Sequence, residues 1–277
     1  MSVLPGPAAA SEAVVLRTWP TGETSLVASL LTADHGFVKV IAKGARRTRS
    51  ALRPLVQPGR LVHAEFSLSP RRDLQYLRGG SLIRDPLAAA DLETHAYLLS
   101  ALELVDRCRD TAAASDDGRR SGAELFGLCQ SFLTVLSSAP RGSEPARFYA
   151  FELRLLDRLG LAPETDSCTS CGRTAAGPAE PPWFSPAQGG VICARCGGAA
   201  DARAMTDGAA MLLRALGEMP PSDWPGTILS AAERREVGIL LHRFMGYHLP
   251  GYRLPAALEL LRRPGRTEDH DGGDGEQ

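Results

Sequence analysis

The chain has 277 residues, of which 44% are hydrophobic and 23% are charged, and its formal net charge at pH 7 is −1. These values are typical of a globular protein with about two domains, and they exclude a largely disordered chain. No stretch approaches 18 consecutive apolar residues, and the first ten residues lack the basic and apolar regions of a secretory signal. We therefore expect a cytoplasmic protein that does not act in a membrane.

Charge is distributed unevenly along the chain. Residues 37–80 contain ten lysines and arginines against two acidic residues, a net charge of +8, whereas residues 268–277 carry a net charge of −5. The basic module indicates a polyanionic partner. The acidic and glycine-rich end of the chain, residues 266–277, is predicted to be disordered.

The first domain is expected at residues 12–84, after a flexible N-terminus over residues 1–11. Short alternating apolar stretches predict strands at 13–19, 25–31, 37–41 and 60–68, and a fifth strand that begins at Leu74. Asp34-His35-Gly36 is a tight hairpin signal, and a long loop covers 42–58. Five short antiparallel strands fit a small OB-type barrel better than a sandwich, which needs about seven.

The long loop and the turn before the fifth strand hold most of the basic residues. Loops at one rim of an OB barrel are where a nucleic-acid backbone runs, and phosphate charge supplies most of the non-specific affinity. The predicted DNA-binding residues are therefore Lys39, Lys43, Arg46, Arg47, Arg49, Arg53, Arg71 and Arg72. The alternative is a charged rim that only interacts with solvent.

Aromatic residues on the predicted strands are secondary candidates for contact with bases. They are Trp19, Phe37, Phe66 and Tyr76. An aromatic side chain of a small barrel is more often part of its core, so the pattern alone favours a packing role for each of them.

At Pro86 the apolar period becomes helical, and residues 85–265 are predicted to form an α-helical domain. Helices are expected at 87–109, 123–136, 144–159, 206–216, 231–249 and 255–262, with a polar loop at 110–122. Gly160 and Pro163 are expected to end the third helix. The fold class is thus α+β, with a barrel followed by a helical domain.

The third helix has a basic side and an apolar side. Arg147, Arg154 and Arg158 lie on the basic side, and Phe151 lies on the apolar side. A basic edge beside an apolar groove is suited to an acidic, aromatic peptide tail, so these four residues form a predicted partner site. An ordinary amphipathic helix that packs on the core is the alternative.

Two C-x-x-C-G motifs lie within the helical domain, in a segment at about 164–200. Their cysteines are Cys168, Cys171, Cys193 and Cys196, and 21 residues separate the second from the third. Four thiolates can close tetrahedrally on one Zn²⁺ and leave no position for water, so we predict one structural zinc ion in an inserted ribbon. Two disulfides are the alternative, which a reducing cytoplasm disfavours.

Signatures of enzymes are absent from the sequence. It has no phosphate-binding G-x-x-x-x-G-K-[ST] loop, no G-x-G-x-x-G, no G-x-S-x-G and no H-E-x-x-H. No nucleophile and base pair can be named either. We therefore expect a binding protein that is not an enzyme.

Three features of the chain, in this order, resemble the bacterial DNA repair and recombination mediator family RecO. The first is the run Val38–Arg47 at the end of a strand. The second is Arg147–Pro163, which contains F-E-x-x-L-L-x-x-L-G-x-x-P, and the third is the C-x-x-C-G motif directly after it. The resemblance covers residues 12 to about 262.

This resemblance implies an OB-fold fused to a helical domain with a zinc ribbon. It also implies binding to single- and double-stranded DNA, annealing of complementary strands without ATP, contact with the acidic tail of single-stranded DNA-binding protein (SSB), and a complex with RecR that loads RecA. By position, the basic loop of the family falls on Lys43, Arg46, Arg47 and Arg49. A nucleic-acid-binding zinc-ribbon factor of other function and a peptide-binding scaffold are the competing classes.

Overall fold

The computed structural model describes residues 6–86, 88, 90–113, 118–138, 140–174, 181–198, 200–220 and 226–262. The acidic end predicted to be disordered lies outside these residues. An N-terminal barrel is followed by a helical domain from which a small three-stranded sheet projects. No helix within the described ranges combines the length and the apolar character that crossing a membrane requires.

Five strands form the closed barrel, in the spatial order β1-β2-β3-β5-β4. They are β1 (Ala8–Thr21), β2 (Ser25–Thr32), β3 (Gly36–Ala42), β4 (Leu61–Ser67) and β5 (Leu74–Arg84). This order confirms the predicted OB-type barrel. The expectation that all strands are antiparallel is wrong, because β5 crosses over to pair in parallel with β3.

The barrel begins earlier in the chain than its apolar pattern suggests. Strand β1 starts at Ala8, and its first residues pair with β4, from Ala8 opposite Ser67 to Val14 opposite Leu61. The prediction of a flexible segment over residues 1–11 is therefore wrong for residues 8–11. Small residues at 8–10 conceal the strand, because alanine gives little contrast between a buried and an exposed face.

Alternation along the strands separates two hydrophobic cores. Val15, Val40 and Phe66 point into the barrel and form its own core. Residues of the opposite parity, such as Val14 and Leu31, join the core of the helical domain. The barrel is thus fixed to the helices by one of its outer faces.

The second domain has seven helices within the described ranges. They are α1 (Leu92–Arg107), α2 (Arg109–Ala113), α3 (Gly118–Ser137), α4 (Glu144–Arg158), α5 (Asp207–Glu218), α6 (Ala231–His248) and α7 (Ala256–Arg262). The predicted loop at 110–122 is partly helical, since α2 and the start of α3 fall within it. Gly160 follows α4 with φ of +71°, as expected for a glycine that ends a helix.

A polar contact fixes the barrel against the helices. The hydroxyl of Ser29 on β2 donates to Asp106 Oδ1 at 2.6 Å, and Arg109 donates to the same oxygen at 2.7 Å. The Arg109 guanidinium also lies 5.5 Å from the ring centre of Phe37 on β3. These contacts join β2 and β3 of the barrel to α1 and α2 of the helical domain.

The cysteine segment forms a small ribbon with strands β6 (Trp183–Ser185), β7 (Gly190–Ile192) and β8 (Arg203–Ala204), in the order β7-β6-β8. It extends a few residues beyond the predicted limit at 200. Phe184 and Val191 are 1% exposed and join the helical core, which anchors the ribbon to α6 through Phe244.

Candidate nucleic-acid interface and metal centre

The eight predicted DNA-binding residues lie on β3, in the segment between β3 and β4, and in the loop between β4 and β5. Lys39 is exposed on β3, and four further cations occupy the turns that follow this strand. The exposed residues of the set are Lys39, Lys43, Arg46, Arg47, Arg49, Arg53 and Arg71, whereas Arg72 is half-buried. Arg53 lies further along the loop, where a short 3₁₀ helix, Arg53–Val56, packs Leu55 and Val56 into the barrel core.

Tyr76 on β5 brings the two basic loops together. The Lys43 ammonium lies 4.8 Å from the centre of its ring, and the Arg72 guanidinium lies 5.8 Å from it. Cations are attracted to aromatic faces at such distances. Lys43 follows β3 and Arg72 precedes β5, so the two cations approach Tyr76 from opposite ends of the short parallel ladder, in which Tyr76 pairs with Ile41.

The loop after β3 is braced against the first hairpin. Arg46 donates to the carbonyl oxygens of Glu23 at 3.0 Å and Gly22 at 3.4 Å, and its backbone N–H donates to Thr24 O at 2.9 Å. Arg46 is therefore engaged in holding this rim together. The sequence pattern gives no sign of that role, because the acceptors are backbone atoms 22 to 24 residues away.

A buried glutamine holds the β4–β5 loop in shape. Gln75 is 5% exposed, and its amide donates to Ser69 O at 3.0 Å and to Arg72 O at 2.5 Å while its oxygen accepts from Ser69 N. Sequence reasoning missed Gln75. Its polar character within a strand is the one signal that could have indicated it, since a buried amide needs partners.

The structure separates the four aromatic candidates. Phe66 is fully buried inside the barrel, and Phe37 packs against the helical domain. Trp19 and Tyr76 are half-buried and point outward, with Arg17 over the ring of Trp19 at 5.6 Å. Phe66 and Phe37 thus have the expected packing role, while Trp19 and Tyr76 lie beside basic side chains.

The predicted partner site on α4 is largely inside the molecule. Phe151 is 0% exposed and Arg147 is 6% exposed, with an Arg147 N–H that donates to Val135 O at 2.9 Å. Burial lowers the pKa of Arg147, and nearby Glu144 partly counters this effect. Neither Arg147 nor Phe151 can meet a partner at the surface, so this part of the prediction is wrong.

The other two residues of that site line a small cleft between α3 and α4. Its volume is about 200 Å³, and Arg154 and Arg158 form one side of it. Arg154 donates to the carbonyl oxygens of Glu218 and Met219, while Arg158 is 3.8 Å from a carboxylate oxygen of Glu124. Arg158 is the more accessible cation of the two.

The four predicted metal ligands come together. The sulfur atoms of Cys168, Cys171, Cys193 and Cys196 all lie within 4.8 Å of one another, and those of Cys171 and Cys193 are 3.8 Å apart. Four sulfurs at about 2.3 Å from a central Zn²⁺ are separated by about 3.8 Å. The cluster therefore has the donor set and the dimensions of a tetrahedral zinc site.

Hydrogen bonds of the backbone shape the two turns that bring the four sulfur atoms together. Gly172 N donates to Cys168 O at 2.8 Å, and Gly197 N donates to Cys193 O at 2.9 Å, so both C-x-x-C segments form tight turns. Burial raises the pKa of Cys168, yet hydrogen bonds from backbone N–H groups, that of Cys193 foremost, together lower it to about 6. A sulfur that ionises readily is suited to metal binding.

The two glycines of the motifs serve different purposes. Gly172 has φ of +70°, a conformation that favours glycine. Gly197 has no such torsion, but a Cβ there would lie 3.1 Å from the ring of Trp183 and 3.2 Å from Ala194 O. The second motif thus needs glycine because an aromatic ring lies close beside it.

Two protein-family models match this chain, one over each domain. Residues 8–85 match the family model described as Recombination protein O N terminal, and residues 89–257 match Recombination protein O C terminal. Among similar relatives, a protein of Desulforudis audaxviator named DNA repair protein RecO is 34% identical over 257 residues, which cover 92% of this chain and 96% of the relative.

Two other relatives of the same name give a similar picture. The protein of Heliobacterium modesticaldum is 35% identical over 77% of this chain and 75% of its own length. The protein of Myxococcus xanthus is 32% identical over 88% of this chain and 93% of its own length. The similarity therefore spans both the barrel and the helical domain.

Proposed function

This chain belongs to the RecO family of DNA repair proteins, and on that basis we propose that it is a recombination mediator that anneals complementary DNA strands. In this proposal it binds single- and double-stranded DNA in the cytoplasm, at the nucleoid, and needs no ATP. It acts with RecR to load RecA onto strands coated with SSB. It is a binding protein and not an enzyme.

One observation carries the proposal. The cations of two loops converge over Tyr76 beside an exposed Lys39, on a part of the barrel that the helices leave open. Two DNA strands repel each other through their phosphates, and a basic surface that contacts both reduces this repulsion. Contacts to phosphates leave the base edges free to pair, which is the condition for annealing.

The proposed partner contact uses the cleft between α3 and α4. An acidic tail, such as that of SSB, would place a carboxylate near Arg158, with Arg154 already fixed by backbone carbonyls at one end of the cleft. The support is the positive charge at a concave site. This assignment replaces the larger predicted site, which included the buried Arg147 and Phe151.

We also propose that the four clustered cysteines hold one structural Zn²⁺. The metal would cross-link the two tight turns of the ribbon, and its binding free energy would contribute to folding of that segment. The ribbon packs on α6 through Phe184, so its order also supports the C-terminal helices.

The test of DNA binding is a titration of a labelled single-stranded oligonucleotide, followed by fluorescence anisotropy at several salt concentrations between about 50 and 300 mM. We expect log K to fall linearly with log salt with a slope of about −3 or steeper, since each neutralised phosphate contributes about −0.7. Weak binding that does not depend on salt would contradict the proposal and favour a peptide-binding scaffold.

A further inference from the structure

We propose that a row of side chains across the open face of the barrel is a stacking surface for the unpaired bases of single-stranded DNA. This row, the outer row, consists of Trp19, Val27, Ile41 and Tyr76. The inference rests on the proposed DNA binding by the barrel, and it adds the chemical group that is recognised.

Strand register places these four side chains next to one another. Trp19 is opposite Val27, Val27 is opposite Ile41, and Ile41 is opposite Tyr76. Directly paired residues project from the same face of a sheet. Since neighbouring strands are about 4.8 Å apart, the outer row spans about 14 Å from the indole to the phenol.

Val27 is buried at 6% exposure, but the other three members of the outer row are not part of a hydrophobic core of the described residues. Within the described ranges, neither the barrel core nor the helical core includes any of its four members. Trp19, Ile41 and Tyr76 are only half-buried, although each is a large apolar or aromatic group. Half-buried aromatic and apolar side chains that lie side by side offer a surface that another molecule can contact.

Cations flank the outer row on both sides. Two residues earlier along the strands, Arg17 and Lys39 form the next line of outward side chains, because both are paired with Ser29. On the opposite side, Lys43 follows the end of β3 and reaches over Tyr76. Aromatic faces between lines of positive charge are the pattern by which proteins bind single strands without reading their sequence.

In this structure, basic side chains lie over the rings of Trp19 and Tyr76. Binding of DNA would draw these side chains away from the rings. A cation over an exposed aromatic ring is held weakly, whereas phosphate attracts Lys43 and Arg72 strongly. When the two side chains turn toward phosphates, the face of Tyr76 becomes open to the base of the same nucleotide. Arg17 and Trp19 provide a second pair of this kind, with 5.6 Å between guanidinium and ring.

This arrangement discriminates between forms of DNA. Bases of a duplex are stacked on each other and cannot reach a ring at the protein surface, while those of a single strand can. Phosphate contacts are available in both forms. The outer row should therefore strengthen binding to single strands alone, and the flanking cations should strengthen binding to both.

The experiment compares Tyr76→Leu and Trp19→Leu with the unchanged protein, using single-stranded and double-stranded oligonucleotides of equal length. We expect each substitution to weaken single-strand binding about tenfold, since one base loses its stacking partner. Double-strand affinity and the salt slope should stay the same. Tyr76→Phe keeps the ring and should bind as the unchanged protein does.

The matched control is Phe37→Leu, which removes an outward aromatic group of β3 that packs against the helical domain instead of the outer row. Unchanged single-strand affinity of Tyr76→Leu and Trp19→Leu would refute the stacking surface, as would an equal loss for both forms of DNA. Either result could occur while strong, salt-dependent binding persists. If the unchanged protein binds no DNA at all, it is the proposed function that fails.

Discussion

Gly36 and Gly122 touch where the barrel meets the helical domain. A Cβ on Gly122 in α3 would lie 2.6 Å from the Cα of Gly36, which ends the β2–β3 turn with φ of +62°. The backbone of α3 can approach Gly36 this closely only because residue 122 carries no side chain. The pair thus sets the distance between the two domains.

We expect Gly122→Ala to destabilise the protein by about 1–3 kcal/mol, because the added methyl group has to push two backbones apart. Gly127 lies on the same helix, and a Cβ added there would meet no atom of the described residues within 4 Å. Gly127→Ala should therefore stabilise the protein by up to about 1 kcal/mol, from helix propensity alone. Chemical unfolding measures both values, and destabilisation of equal size in the two variants would show that the close approach is unimportant.

Charge reversal in the loop after β3 should strongly weaken annealing. Arg47→Glu combined with Arg49→Glu changes two exposed cations, and it avoids Arg46, whose guanidinium holds the first hairpin. We expect annealing of complementary oligonucleotides to fall at least tenfold while the unfolding midpoint stays unchanged, because exposed charges contribute little to stability. Retained annealing would remove this loop from the DNA site. Arg173→Glu with Arg195→Glu, two exposed arginines of the ribbon, is the matched control.

Loss of one cysteine ligand should release the metal. We expect the unchanged protein to contain one zinc ion per chain, and Cys168→Ser to contain much less and to unfold more easily. Arg195→Ala, between Cys193 and Cys196, should keep the ion. Elemental analysis together with a count of reactive thiols makes the measurement. Absence of zinc with only two free thiols would instead support the two-disulfide alternative.

Two arginines of α4 should contribute to stability to different extents. Arg147→Met should lower the free energy of unfolding by about 1–3 kcal/mol, because it removes the hydrogen bond that the buried Arg147 donates to the carbonyl of half-buried Val135. Arg158→Met should change it by less than about 1 kcal/mol, because the ion pair of this residue with Glu124 lies at the surface. Binding of an acidic peptide tail should weaken in the second variant. An equal effect of both substitutions on stability would contradict these positions.

The start of α6 should make stability depend on pH. The Ser230 hydroxyl and backbone N–H both donate to the Glu233 carboxylate, at 2.7 and 2.8 Å, and they lower the pKa of Glu233 below its ordinary value of 4.5. The stabilisation is therefore fully present above about pH 4.5 and is lost as the pH falls through the lowered pKa. We expect Glu233→Gln to melt at a lower temperature than the unchanged protein at pH 7, with a difference that shrinks on acidification. A difference that stays constant with pH would show that the charge is not involved.

Much of the architecture follows from local patterns in the sequence. The period of two before Pro86 and the helical period after it predict the barrel and the helices, and the spacing of Cys168 and Cys171 predicts the metal cluster. Helical period also predicts that Arg147 points away from Phe148. It cannot show that α3 approaches from that side and offers the Val135 carbonyl, which is why a residue expected at the surface is buried.

The parts that sequence could not supply depend on which strands become neighbours. Alternation assigns Tyr76 to the outside of β5, but it does not reveal that β5 lies beside β3. Without that pairing, Lys43 and Arg72 are cations of separate loops, and Trp19 and Tyr76 are unrelated aromatic residues. The outer row becomes visible only when three registers are combined.

The parallel ladder between β3 and β5 has a mechanical consequence. It joins the strands only along Lys39–Ile41 and Leu74–Tyr76 and is the shortest ladder of the barrel. The barrel should therefore open at this seam first when it fluctuates. A DNA strand bound to the outer row would contact both β3 and β5 and so hold the two strands together. Binding of DNA should therefore slow hydrogen exchange of the amides in this ladder, and dissociation of DNA should restore the faster exchange.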